Sequence, residues 1–393
     1  MGALVLVLVA VALLRRLATE GTPALAFRST LASYVRMPGR PPVLAWPREG
    51  QAAVEVQGIA SFGSSGGSTP VPIASVAKVM TAYLTLLEHP LAPGQAGFTI
   101  TVTASEVEEQ GQRVALGEST VPVRVGERIT EHQALQALLL PSANNVAALL
   151  AVHDAGTVGA FVARMNATAK RLGMASTTYT DPSGFNDRTV STAADQLKLA
   201  RLAMRVPAFA TIVAEPSAVI PVAGRVNNYN GLLGAEGYVG VKTGSDNAAG
   251  GCLVFAKHVT VGGRRLLVLG VVLGQRDGSL IEAALSSAQR LGNSAAAALR
   301  VETVLPAGTS VLRVGNVNGR WTTAVTSTTL REVGWGGVRL PVRVLRGARL
   351  TGLRRGQRVA TVVVDGAAVA KTHAVARGAL GGPSLGWRLR HLL

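Results

Sequence analysis

Pro72-Ile73-Ala74-Ser75-Val76-Ala77-Lys78-Val79-Met80-Thr81-Ala82 is the stretch on which the reading of this chain turns. Residues 78–88 (Lys-Val-Met-Thr-Ala-Tyr-Leu-Thr-Leu-Leu-Glu) are mostly apolar and predict a buried helix. Ser75 and Lys78 form the only S-x-x-K in the chain. Three apart on a helix, two side chains project from one face, one turn apart, which sets an amine beside a hydroxyl. A serine hydroxyl is a poor nucleophile at neutral pH and needs an adjacent base. A buried lysine with a lowered pKa can be that base. Pro72 precedes the helix, so Ser75 is expected near its amino terminus, where the dipole favours developing negative charge.

Two further motifs follow in order. Ser142-Ala143-Asn144 lies in Leu140-Pro141-Ser142-Ala143-Asn144-Asn145, between helical stretches at 131–140 and 143–154, where short polar groups can face a cleft. Lys242-Thr243-Gly244, the only K-T-G, follows Gly237-Tyr238-Val239-Gly240-Val241 on an expected strand. A strand edge pairs with an extended peptide, and a lysine and a threonine hydroxyl there can hold a carboxylate. Each triplet alone is a weak signal. All three in order, each in a suitable local setting, make a strong one.

The surroundings predict an α+β fold. Residues 192–205 pattern as an amphipathic helix, with Leu197, Ala200 and Met204 on one face and Lys198, Arg201 and Arg205 on another. Residues 237–243, 251–260 and 265–273 read as strands, the last two joined at Gly262-Gly263, and a helix at 279–297 follows. Strands joined by hairpins and interleaved with helices imply an antiparallel sheet covered by helices. From about residue 300, valine-rich runs at 310–314, 321–326, 338–345, 358–364 and 367–376 alternate with Gly and Pro and predict a small β-domain.

The three motifs and their flanks resemble the penicillin-binding-protein-type serine D-alanyl-D-alanine carboxypeptidases of low molecular mass. Asp181-Pro182-Ser183-Gly184-Phe185, Ser191-Thr192-Ala193-Ala194-Asp195 and Asn228-Tyr229-Asn230-Gly231-Leu232-Leu233 are similar to that family's segments as well. The likeness covers about 45–298. It implies a β-lactamase/transpeptidase-like domain followed by a small β-rich carboxy-terminal domain. It also implies an acyl-enzyme mechanism on peptidoglycan stem peptides ending in D-Ala-D-Ala. Ser75 would be the nucleophile and Lys78 its base, with Ser142 relaying a proton. Asn144, Lys242, Thr243, Gly244 and Ser245 would bind substrate, and the backbone N–H groups of Ser75 and Ser245 would form the oxyanion hole. β-Lactams would acylate Ser75 stably, and no cofactor is implied. Ser245-Asp246-Asn247 departs from many relatives, which carry Thr or an aromatic after K-T-G. It spells an S-D-N, but in the wrong order for that motif.

Composition bounds the alternatives. The chain has 393 residues, 48% hydrophobic and 16% charged, enough for two or three domains and unlike a disordered sequence. One cysteine, Cys252, excludes an internal disulfide and a cysteine-based zinc cluster. It is expected as a small buried strand residue. The six histidines contain no H-x-x-x-H pair, so no metal site is expected. The net charge is +17, and residues 301–393 hold 13 Arg and one Lys against three acidic residues, a net +11. With no aromatic interleaving or nucleic-acid motif around Arg354-Arg355-Gly356-Gln357-Arg358, no nucleic acid is expected. An anionic membrane or wall surface is the expected partner of the basic domain.

Residues 3–14 are all apolar, Ala24-Leu25-Ala26 offers an A-x-A site, and Arg15-Arg16 follow the run. The expectation is a signal peptide or short membrane anchor over 1–26, a catalytic domain over 27–298 and a basic β-rich domain over 299–393. Secretion or membrane association at the envelope follows. Gly63-Ser64-Ser65-Gly66-Gly67 matches G-x-S-x-G but is expected to be a flexible loop. Arg276 is expected to be a loop arginine, and Ser384–Leu393 either lies on a membrane or packs on the β-domain. The rival readings are a β-lactamase of the same fold, against which no E-x-x-L-N stands in the chain, and a non-catalytic wall-binding protein.

Overall fold

The computed structural model describes residues 23–92, 94–347 and 349–390. The expected leader over 1–26 therefore lies mostly outside the described residues. The chain divides into two compact units. One is continuous, Val43–Ala298; the other joins the residues up to Pro42 with those from Leu299 onward.

The continuous unit is built on a five-stranded sheet. Its strands are β1 (Gln51–Val56), β2 (Ala60–Ser65), β3 (Tyr238–Asp246), β4 (Gly250–Val261) and β5 (Arg264–Gln275). Their order across the sheet is β3-β4-β5-β1-β2, with every neighbouring pair antiparallel. β4 and β5 meet as a hairpin through Gly262-Gly263, both at positive φ, as the sequence implied. Along β4 the residues from Gly250 to Lys257 are all buried, so both faces of the sheet are covered.

The period-2 alternation of the strands separates those faces. Cys252, Val254 and Ala256, with Leu269, Val271 and Leu273 of β5, join one large core with the helices. These helices are α1 (Lys78–Glu88), α2 (Ala104–Ala115), α3 (Glu131–Leu139), α4 (Asn144–Ala155), α5 (Val158–Arg171), α6 (Ala193–Ala203) and α7 (Pro207–Val213). The alternate residues of β4 and β5 turn to α8 (Leu280–Ala297), whose Gly292 lets the helix approach Tyr238 and Phe255. α1 runs through the helical layer and is buried from Lys78 to Leu86. The helices at 78–88, 131–140, 143–154, 192–205 and 279–297 thus appear where the sequence predicted them, to within a few residues. Cys252 is buried in β4, and burial pushes its thiol up to about 12.

Two expectations need correction. Gly63-Ser64-Ser65 is not a flexible loop but the end of edge strand β2, paired to β1 across a register shift. Its small polar residues are mostly exposed, so it lacks the apolar run by which strands are recognised. The second correction is the amino-terminal boundary, which falls at 42/43 rather than 27. Ala26–Ser29 pairs antiparallel with Ser310–Gly315, and Tyr34–Arg36 pairs with Arg339–Arg346. These two segments form the two edges of a seven-stranded sheet in the second unit. Exposed sheet edges recruit whatever strand can pair with them, here residues far away in the chain. The five expected runs all appear as strands, including Trp321–Thr326, Arg358–Asp365 and Val369–Ala376, whereas a separate antiparallel pair, Arg300–Leu305 with Leu330–Gly334, was not expected. Leu385–Arg390 is a short helix.

Candidate active site

Ser75 sits in a 3-10 turn, Ala74–Ala77, that runs directly into α1. Ala74 has φ +44°, a conformation that costs a non-glycine residue energy and persists only where surrounding packing enforces it. The turn presents the Ser75 side chain to Lys78, whose Nζ lies 2.7 Å from Ser75 Oγ. Lys78 is fully buried. Burial, reinforced by the positive charge of Lys242, holds its amine well below the usual lysine range. A lowered pKa favours the neutral amine, whose lone pair can take the serine proton, so the pair has the geometry that a nucleophile and its base require.

A second contact fixes that amine. Lys78 Nζ donates to the carbonyl oxygen of Ser183 at 2.9 Å. The loop carrying this carbonyl is organised by Asp181. One carboxylate oxygen accepts from the N–H groups of Ser183 (2.7 Å) and Gly184 (2.5 Å) and from Ser183 Oγ (2.7 Å). The other accepts from Asn186 N–H and Thr189 Oγ1, both at 3.0 Å. Burial works to raise the Asp181 pKa, but these hydrogen bonds outweigh it and hold the carboxyl below its ordinary range. Gly184 has φ +79°, and a Cβ there would run into the carbonyl oxygen of Ala74. The loop therefore packs directly on the nucleophile turn. Thr81 Oγ1 donates to Pro182 O at 2.6 Å and ties the same loop to α1.

Ser142 lies in the break between α3 and α4 at φ +66°, again a left-handed non-glycine residue. Its buried Oγ has no hydrogen-bond partner among the described residues. Asn144, the first residue of α4, is buried; its Nδ2 donates to Glu118 at 2.7 Å, and its Oδ1 is left unpartnered. Two polar atoms, the Ser142 hydroxyl and the Asn144 carbonyl, are thus held without a protein partner, which is what a site for an amide-bearing ligand requires. Glu118 is itself buried and paired with Arg113 Nη1 at 3.1 Å, while Arg113 also bridges to Glu109 on α2. A chain of charge-assisted hydrogen bonds thus orients the Asn144 amide. Sequence reasoning missed both Glu118 and Arg113. The capping box of α2, Thr103 with Glu106, was a readable sign of the helix that carries Arg113, but nothing local marks the loop residue Glu118.

Lys242 and Thr243 are buried on β3, one of the two edge strands of the sheet. Lys242 Nζ donates to Thr243 O at 2.9 Å, and burial pulls its pKa down to about 7. A Cβ on Gly244 would lie 2.9 Å from the backbone N of Ser75 and 3.0 Å from that of Val76, so only glycine allows strand and nucleophile turn to touch. Ser245 follows at the exposed end of the strand. Arg276 is a loop arginine, its guanidinium donating to Asn247 O (2.9 Å) and Ala248 O (2.6 Å) beyond K-T-G. The K-T-G strand therefore touches the Ser75 turn through Gly244, and the charges of Lys242 and of Glu118, the partner of Asn144, are both felt at Lys78.

The sequence profile of the D-alanyl-D-alanine carboxypeptidases matches residues 64–277, more than half of the chain and all three motifs. This chain belongs to the D-alanyl-D-alanine carboxypeptidase family. A D-alanyl-D-alanine carboxypeptidase of Mycobacterium tuberculosis is 38% identical over 204 residues, 50% of this chain and 65% of that protein. The matched stretch is thus just under two thirds of that relative's length. The crystal structure of the DD-transpeptidase of Streptomyces K15 is similar over 66% of this chain and 98% of its own, with a TM-score of 0.54 and 28% identity. A D-alanyl-D-alanine carboxypeptidase from Francisella tularensis shares the fold over 88% of this chain and 96% of its own, with a TM-score of 0.61 and 19% identity. The expected penicillin-binding-protein type of fold is therefore the one found.

Two outcomes are expected for this family member. Replacing Lys242 by Gln removes a positive charge that disfavours protonated Lys78, so the Lys78 pKa should rise. The limb on which penicillin acylation accelerates with pH, as Lys78 loses its proton, should then move to higher pH; a limb that stays in place refutes the coupling. Glu118→Gln should keep the volume but lose the charge orienting Asn144. It should lower kcat/KM for a D-Ala-D-Ala peptide by about tenfold or more, the value of a hydrogen bond to a charged group, while penicillin still labels Ser75.

Proposed function

We propose that this protein is an exported serine D,D-carboxypeptidase that removes the terminal D-alanine from peptidoglycan stem peptides. The observation that carries the reading is the buried Lys78 amine at 2.7 Å from the Ser75 hydroxyl. The substrate's terminal carboxylate would sit against Lys242 and Thr243, and its peptide amide against the free Oδ1 of Asn144. Ser75 Oγ attacks the carbonyl of the penultimate D-alanine as Lys78 takes its proton. The oxyanion gathers hydrogen bonds from the N–H groups of Ser75 and Ser245. As the C–N bond breaks, a proton passes through Ser142 to the leaving amine and D-alanine departs. Water then attacks the ester, returns the proton to Ser75 and releases the shortened peptide. Every residue in this scheme acts without a cofactor.

A β-lactam offers the same chemistry but keeps its leaving group tethered, so Ser75 would remain acylated. The β-lactamase alternative needs a carboxylate free to activate water. Glu118, the buried carboxylate beside Asn144, is engaged by Arg113 and Asn144 instead. The non-catalytic alternative is disfavoured by the contact of the buried Lys78 amine with the Ser75 hydroxyl, which packing alone does not require.

The second unit supports association with an anionic envelope surface. Arg354, Arg355 and Arg358 are exposed, while Glu332, one of its three acidic residues beyond 300, is buried. The apolar run near the amino terminus supports export.

Incubation with penicillin should give a covalent adduct, seen by intact mass and mapped to Ser75. It should be absent from Ser75→Ala, whereas rapid turnover of penicillin with no attack on a D-Ala-D-Ala peptide would sink the reading. Full-length protein carrying Arg354→Glu, Arg355→Glu and Arg358→Glu should co-sediment less with anionic phospholipid vesicles than the wild type at low salt. Equal sedimentation would remove the basic surface from the account.

A further inference from the structure

At the far ends of α1 and α4 lies a cluster that the chemistry of Ser75 does not use. His89 caps the carboxyl end of α1, and His153 and Asp154 stand in the last turn of α4. One ligating atom from each of the three residues lies within 4.8 Å of the others. The Asp154 side chain is fully buried. Its Oδ2 accepts from Thr85 Oγ1 at 2.6 Å, but its Oδ1 makes no hydrogen bond and stands 3.3 Å from His89 Nε2. A buried carboxylate oxygen left in this state is costly, and a cation is the natural remedy.

The surroundings are shaped for one. Phe98 stacks on His153, with centroids 3.9 Å apart and planes at 19°, and meets the His89 ring edge-on at 4.8 Å. Stacking occupies ring faces and leaves the nitrogens, which lie in the ring plane, open to a ligand. Among the described residues, neither nitrogen of His153 has a hydrogen-bond partner. The carboxyl ends of α1 and α4 both point their partial negative charge here. Glu131, whose carboxyl feels the charge of Asp154, is also buried with one oxygen unpartnered. The nearby cation, Arg164, is spent on the Asp154 carbonyl oxygen (2.7 Å) and on Glu88 (2.6 Å).

We propose that His89, His153 and Asp154 bind a divalent transition ion of the Zn2+ class, with water completing its shell. Two imidazoles and one carboxylate form a donor set suited to zinc, and Thr85 supplies the outer contact that orients the carboxylate. Tetrahedral zinc brings its ligand atoms to roughly 3.3–3.5 Å from one another. The exposed His153 closes the remaining gap by a small rotation. The site escapes sequence inspection because His89 belongs to a different helix from the other two ligands.

Its position gives it a task. α1 begins at Lys78 and α4 at Asn144. With 11 and 12 residues, each helix is about 16–18 Å long. The ion would pin the two helices at the ends remote from the catalytic groups, stabilising their pairing without touching substrate.

The test uses the full-length chain after treatment with a chelator, with Zn2+ and Co2+ as probes. Zn2+ should bind at one equivalent in calorimetry and raise Tm. Co2+ should give the visible d–d absorption of a four-coordinate nitrogen–oxygen site. His153→Ala and His89→Ala should each weaken the affinity by about tenfold or more and abolish the Co2+ bands. Melting in chelator checks that each variant is folded, and the exposed His153 makes its variant the safer of the two. Absence of a Tm rise and of Co2+ bands in the wild type overturns the proposal. So does binding that both histidine variants retain unchanged.

Discussion

The pairing of a buried lysine amine with a serine hydroxyl is the constraint around which the continuous unit is organised. Taking an amine out of water disfavours its charged form, and a protein tolerates this only where the neutral amine keeps good partners. Lys78 has two, Ser75 Oγ and Ser183 O. The second exists because Asp181 gathers the backbone of its loop, and that loop reaches the nucleophile turn because residue 184 has no side chain. From the other side, β3 touches the same turn because residue 244 has none. Two glycines and one carboxylate thus set the geometry that holds the lysine amine against the serine hydroxyl.

The residues proposed to do chemistry were legible because their spacing is local. Ser75 with Lys78, Ser142 with Asn144, and Lys242 with Thr243 each lie within one turn or one strand step, so their relation survives without tertiary knowledge. The groups that hold them were not legible. Glu118 meets Asn144 across a loop and a helix start, and the partner on Ser183 is a backbone carbonyl, which every residue possesses. The same contrast holds for the fold. Helices at 78–88 and 279–297 and the β4–β5 hairpin announce themselves by periodicity and turn residues. β2 does not, because a glycine- and serine-rich edge strand is held by its neighbour's ladder rather than by its own side chains.

Charge and burial also sort differently in the two units. In the continuous unit, ionisable groups lie inside and are tuned: Lys78 and Lys242 downward, Asp181 held low by hydrogen bonds. In the second unit most of the charge is arginine, much of it on the outside of valine-rich strands. In one unit the charges act on one another over a few ångströms; in the other they face solvent.

The strands Ala26–Ser29 and Tyr34–Arg36 carry a temporal consequence. They are synthesised before the continuous unit, but their partners at Ser310–Gly315 and Arg339–Arg346 emerge only after it. Domains fold as units in the order in which they are made. The continuous unit can therefore finish its core while both edge strands are still unmatched, and the second sheet closes last. Two segments made before the continuous unit are thus among the last to find their place.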